Sequence, residues 1–218
     1  QVFATIFIFF IALTFRLYGI RWDNGFHFHP DERMLIMVAD RIRLFSQLNP
    51  DFFNYGSLPI YILRGVSQAI DYTFGFSTAN YDGLLIVGRA ISVFIDMLVL
   101  LLIYRIARNI FSDIGTALWS MFFYAIAFFP IQNSHFFVVD VFLNVSATLL
   151  LYLLLKYHEK PSYLKIIWIA ITYAAALTTK ISAIIFLPII FLVLAVSHTK
   201  RLYGWKQLLS SVMAVVYH

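Results

Sequence analysis

The chain has 218 residues, of which 61% are hydrophobic, 18% aromatic and only 12% charged, with a mean hydropathy of +0.83. That is too little polar surface for an ordinary soluble domain, which is nearer half apolar and a quarter charged. The lack of cysteine excludes disulfides, thiolate metal sites and a cysteine nucleophile, and the net charge of +5 sits on basic residues dispersed over short loops, which excludes a nucleic-acid-binding face.

The apolar residues fall in long blocks, the pattern of a polytopic all-α transmembrane bundle. Val2 to Leu13 is a retained first span, with Arg16 and Tyr18 expected at the membrane interface, their polar tips snorkelling outward. Further spans are predicted over about Leu84 to Tyr104, Ile114 to Phe129, Phe137 to Leu155, Tyr163 to Thr178 and Ile181 to Val196. A seventh begins at Leu208, giving about six to seven in all. Gln1 stands in mid-pattern and His218 inside an apolar stretch, so 1–218 reads as a single transmembrane module and a fragment.

Alternate connections carry Arg105, Arg108, Lys156, Lys160, Lys165, Lys200, Arg201 and Lys206, against only Asp113 and Glu159. The positive-inside rule makes these loops cytoplasmic. Residues 20–82, the turn from Phe129 to His135 and Thr179-Lys180 then lie outside. The long first loop holds seven of the eleven acidic residues. Within it, Pro30 to Phe45 is an amphipathic helix with Leu35, Val38, Ala39, Ile42 and Phe45 on its apolar face, and Pro59 to Phe74 is a second interfacial helix.

Chemistry-bearing residues cluster on that outer side. His27-Phe28-His29-Pro30-Asp31-Glu32-Arg33 places two carboxylates and two imidazoles at a helix start, where the acids also complement the dipole. Asp140, in the fourth span, faces either a polar cavity or a buried partner. With His29, His27 and His135 at similar depth, Asp31 and Asp140 have the ligand chemistry of a divalent cation site, although hydrogen-bonded carboxylates and interfacial histidines would produce the same residues. Arg33, Arg89 and Lys180 either snorkel to headgroups or grip a phosphate at the membrane surface. Asp96, seven residues after Arg89, is a buried structural partner or part of an ion pathway. Asn144-Val145-Ser146 fits the glycosylation pattern but lies inside a span, which makes modification unfavourable.

Several segments in order resemble one family. Arg16-Leu17-Tyr18-Gly19, His29-Pro30-Asp31-Glu32, Asn49-Pro50-Asp51-Phe52-Phe53-Asn54-Tyr55-Gly56-Ser57-Leu58-Pro59, Gly88-Arg89, Ser134 to Asp140 and Thr179-Lys180-Ile181-Ser182-Ala183 are similar to the amino-terminal half of a GT-C fold glycosyltransferase of the protein-mannosyltransferase-like family 39, itself similar to lipid A aminoarabinose transferases. The resemblance implies transfer of a sugar from a polyprenyl-phosphate carrier to a protein, lipid or glycan acceptor, on the extracytoplasmic face of the plasma membrane and with inversion. It implies catalytic roles for Asp31 and Glu32, and substrate contacts at Arg33, Tyr55, Arg89, His135 and Lys180. A divalent metal would fall to Asp31, Asp140 and His29. Where many relatives have a Tyr-Pro-Pro-Leu type motif, this chain has Tyr55-Gly56-Ser57-Leu58-Pro59 with no lysine beside it. The readings set against it are a secondary transporter using Asp96 and Asp140, and a non-catalytic assembly subunit. The first predicts interrupted helices and a repeat between halves, and the sequence has neither.

Overall fold

A computed structural model describes residues 1–197, all of whose regular elements are helical. They are α1 Val2–Leu17, α2 Pro30–Arg41, α3 Leu58–Phe74, α4 Tyr81–Phe111, α5 Ile114–Ile126, α6 Phe128–Ser134, α7 Val139–Glu159 and α8 Tyr163–Leu177. A 3-10 segment, Ile181–Phe186, opens the apolar helix Ile181–Ser197, α9.

Local chemistry sets most of the boundaries. Asn80, Asp113 and Ser162 cap α4, α5 and α8 by accepting the backbone N–H of Gly83, Thr116 and Lys165, which satisfies one of the free donors at each helix start. The α3 helix ends at Gly75, whose φ of +69° places it in the left-handed region. Between α5 and α6 the axis bends by 56°. Pro130 is the cause: it has no N–H for the Ile126 carbonyl four residues earlier, so one continuous helix cannot run through Ala127. The expected third span is therefore broken rather than straight.

The 31-residue α4 is the central post. On one side it meets α1 and α5 through Ile8, Ala12, Val93, Met97, Leu100, Met121 and Ala125. On the other, α2, α3 and the start of α7 close a second core around Leu35, Ile36, Ile60, Leu63, Leu84 and Phe137. Gly88 allows that junction to close, because a Cβ there would stand 2.8 Å from the Phe137 ring. The helices α4 and α7 run in the same direction, with Gly88 beside Phe137 near their starts and Asn109 bonded to Lys156 and Glu159 near their ends.

By length and apolarity, α4 and α7 can cross a membrane, and α5 with α6 makes a third if the bent pair is one span. The helices α1, α8 and α9 are apolar but shorter, at 10–17 residues. A 16-residue helix spans about 24 Å against a hydrocarbon core of about 30 Å. The seventh predicted span lies outside the described residues.

Two sequence expectations are corrected. Arg16 does not snorkel: it is fully buried, bonded to Asp96 and to the carbonyls of Ala12 and Ala125. Phe45 is 98% exposed, not part of the apolar face, because α2 stops at Arg41 and the chain reverses through the Arg43–Gln47 bridge with Phe45 at φ +74°. The rest of the predicted face, Leu35, Val38, Ala39 and Ile42, is buried.

Candidate active site

The site is built on a buried charge cluster. Arg89, in the third turn of α4, is fully buried and holds two carboxylates at once. Its Nη1 and Nη2 donate to Asp23 at 2.9 and 2.8 Å, while its Nε and Nη2 donate to Glu32 at 3.0 and 2.7 Å. Nη1 also donates to the Ile20 carbonyl at 2.8 Å, and the Trp22 ring centre lies 5.4 Å from the guanidinium carbon. Glu32 additionally accepts the Phe137 N–H at 2.8 Å. Burial alone would raise the Asp23 carboxyl, but the Arg89 hydrogen bonds outweigh it and hold Asp23 at about 2. Planar guanidinium and paired carboxylates suit this two-way fork. The cluster ties residues 20–32 to α4 and to the entry of α7. It thereby fixes the first turn of α2, where Asp31 stands exposed with no hydrogen bond or ion pair among the described residues.

A second junction brings distant segments together. Gly56 N–H donates to the Thr179 carbonyl at 2.9 Å and Leu58 N–H to the Thr178 carbonyl at 3.2 Å. The loop before α3 thus lies backbone to backbone on the turn after α8. A Cβ at Gly56 would stand 1.9 Å from the Thr178 carbonyl oxygen, so only glycine permits the approach. That turn presents Lys180, whose Nζ donates to Asp140 Oδ1 at 2.9 Å and sits 5.9 Å from the Tyr55 ring centre. The hydrogen bond to Asp140, with Asp140, Tyr55 and Asp31 adding negative potential, raises the Lys180 pKa despite partial burial, so the amine is cationic throughout the neutral range. Lys180 and Asp140 stay accessible, at 33% and 51% side-chain exposure. Gly56→Ala is expected to push the turn off the loop and to destabilise the fold by about 1–3 kcal/mol, as overpacked sites do. Thermal unfolding of the variant against wild type measures this, and an unchanged melting temperature would show the contact to be dispensable.

Of the residues expected in the site, Tyr55, Asp140 and Lys180 are brought together, from the loop after α2, α7 and the turn before α9, and Asp31 of α2 is near enough for its charge to act on Lys180. Glu32 and Arg89 pair with each other beneath them and face no open cavity. Arg33 is exposed, one position beyond Glu32. His135 turns both ring nitrogens to carbonyls, Ile131 and Tyr18, each at 2.7 Å, so neither points toward a ligand. His29 spends Nδ1 accepting the Glu32 N–H as the cap of α2, with its ring on Phe136.

His29, Asp31 and Asp140 do not assemble into a three-ligand group, and among the described residues no three His, Asp or Glu side chains do. The donors nearest the site are two carboxylates, one of them already holding the Lys180 ammonium.

Two features were not legible beforehand. Asp23 carried no special spacing, only its place in an acidic loop. The Arg16–Asp96 pair joins residues 80 positions apart; a buried structural partner is one reading of Asp96 within its span, but nothing in the sequence names Arg16 as that partner.

Residues 70–217 match the family of dolichyl-phosphate-mannose-protein mannosyltransferases. The chain belongs to this family. No curated protein and no solved structure matches it. It is therefore a membrane glycosyltransferase of the GT-C type. The matched segment contains Arg89, Asp140 and Lys180, while Asp31 and Tyr55 precede it in the chain and meet it in space.

Proposed function

We propose that this glycosyltransferase takes a sugar from a polyprenyl-phosphate carrier and transfers it to an acceptor hydroxyl or amine on the extracytoplasmic face of the plasma membrane, within a bundle of six to seven spans. Its first loop, 20–82, carries part of the site. The carrying observation is the convergence of Asp31, Asp140, Tyr55 and Lys180 at one end of the bundle, the end away from the Lys156–Glu159 network. A lipid-linked phosphate sits at the membrane surface, the depth expected for residues that open and close the spans.

In this reading Lys180 receives the phosphate. As the acceptor attacks the anomeric carbon, its lone pair forms the new bond, and the carbon–oxygen bond to phosphate breaks with its electron pair leaving on the phosphate. A positive group beside the leaving oxygen lowers the barrier by stabilising charge that develops there. The acceptor's proton passes to Asp31, whose exposed, unpartnered carboxylate is free to take it. A single displacement inverts the anomeric centre. Glu32 and Arg89 are positioning residues, holding the turn that presents Asp31. Limited water at the interface would restrain hydrolysis of the donor.

The test uses full-length protein in liposomes, with polyprenyl-phosphate hexoses labelled in the sugar. Lys180→Gln is expected to raise the donor KM by about 10–100-fold, the scale of one hydrogen bond to a charged group. An unchanged donor KM would overturn the assignment of Lys180 to the phosphate.

A further inference from the structure

Beside the Lys180–Asp140 pair, helices α4 to α7 and the start of α9 enclose a cavity of about 430 Å³. Its lining is apolar at Phe129, Val141 and Phe186, yet it contains Asp140 and Asn144 from one helix. These are four residues apart on α7, so their side chains share a face, one turn above the other. Asn144 is exposed in a helix long and apolar enough to span a membrane. A polar side chain at such a depth is costly in lipid and is retained where it lines a polar cavity.

The amide is also held from behind. Asn144 Nδ2 donates to the Tyr124 hydroxyl at 3.2 Å, and that hydroxyl donates to Asp96 Oδ1 at 2.6 Å. The other Asp96 oxygen accepts from the buried Arg16. Arg16 is in turn fixed by the Ala12 and Ala125 carbonyls. Each group in this chain has one role to play: Arg16 donates to one Asp96 oxygen, the other Asp96 oxygen accepts the Tyr124 O–H, and the Tyr124 oxygen is left to accept from Asn144. The amide is thereby oriented with Oδ1 uncommitted. Among the described residues, neither Asn144 Oδ1 nor Asp140 Oδ2 has a hydrogen-bond donor. Two fixed acceptors, about 6 Å apart along the helix axis, in a cavity beside a phosphate-binding cation, suit two non-adjacent hydroxyls of one sugar ring.

We propose that this cavity recognises the donor's sugar and that Asn144 determines which sugar is accepted, with Tyr124, Asp96 and Arg16 as positioning residues that act through it. The inference rests on the lipid-phosphate-sugar reading above and adds the site that reads the sugar. An apolar pocket discriminates weakly between sugars that differ at one hydroxyl, whereas an oriented acceptor left unpaired by a missing or inverted hydroxyl discriminates strongly.

The experiment compares kcat/KM of the full-length protein in liposomes for gluco-, manno- and galacto-configured polyprenyl-phosphate hexoses, and for monodeoxy forms of the one preferred. Asn144→Leu is expected to cut the preference for the natural sugar over one particular deoxy form by about 10-fold, the worth of one hydrogen bond, with preferences at the other ring positions kept. Asn144→Gln, which keeps the amide but moves it by one methylene, guards against a folding failure and should alter the same preference. Tyr124→Phe should alter it in the same direction through loss of orientation. Equal loss for every sugar, or unchanged preferences in both Asn144 variants, would overturn the pocket assignment while leaving the donor reading standing. Absence of transfer from every polyprenyl-phosphate sugar by the wild type would overturn the donor reading, and this inference with it.

Discussion

Asp31→Asn in the full-length protein is expected to lower kcat for sugar transfer by about 10²–10⁴-fold, the usual range for loss of a positioned general base, with the donor KM nearly unchanged. The side chain keeps its size and its place in the first turn of α2, but the amide cannot accept the acceptor's proton. Asp31 is exposed and has no partner among the described residues, so the substitution breaks no internal contact and the fold should survive. Initial rates with labelled lipid donor, together with a melting temperature matching wild type, measure both halves of the statement. Transfer at the wild-type rate would remove Asp31 from the chemistry.

Arg89→Met should have the largest effect on stability. It removes the single cation between Asp23 and Glu32, both of which are buried with it. Breaking a buried charge cluster by deleting one partner costs about 3–5 kcal/mol, because the remaining charge stays desolvated and unpaired. Thermal or denaturant unfolding in detergent should show that loss. A triple variant that also carries Asp23→Asn and Glu32→Gln should recover part of it, and full additivity of the three substitutions would argue that they do not act as one unit. The pH response has a definite sign. Asp23 is held at about 2 against an ordinary 3.8, so its contribution is fully present above about 4 and is lost as pH falls through about 2. The Asp23–Arg89 half of the anchor therefore withstands mild acid.

These two substitutions separate chemistry from support at adjacent positions. Asp31 and Glu32 are neighbours in the chain, and a reading from sequence assigns them similar work. Helical geometry turns successive side chains by about 100°, so one points outward and the other inward to Arg89. Nothing in the dipeptide itself announces which is which. Likewise, Arg89 and Lys180 look alike as basic residues at span ends. Their difference lies in what surrounds each, two buried carboxylates in one case and an accessible carboxylate with a tyrosine ring in the other.

Gly56 shows the same division. Its departure from the proline common in related motifs reads as a missing feature in sequence. In space it is the position where the loop backbone touches the Thr178 carbonyl, which no larger residue allows. Asn144 changes meaning in the same way. A weak glycosylation pattern inside a span becomes an oriented amide facing a cavity, because Tyr124 from another helix holds it.

The amino-acid sequence by itself determined that the chain is helical, apolar and built for a membrane, and it located α2, α3, α4, α7 and α8 closely, because hydropathy, capping residues and proline act over a few neighbouring positions. It also gathered seven of the eleven acidic residues in the first loop. Tertiary structure alone decided that Arg16 is a buried partner of Asp96, that Arg89 joins Asp23 to Glu32, and that Tyr55 and Asp140 meet Lys180 within reach of the Asp31 charge. Those pairings join residues 40 to about 150 positions apart. Their free energy comes from desolvated charge and close backbone approach, which depend on which faces of the helices pack together and leave no periodic mark in the chain.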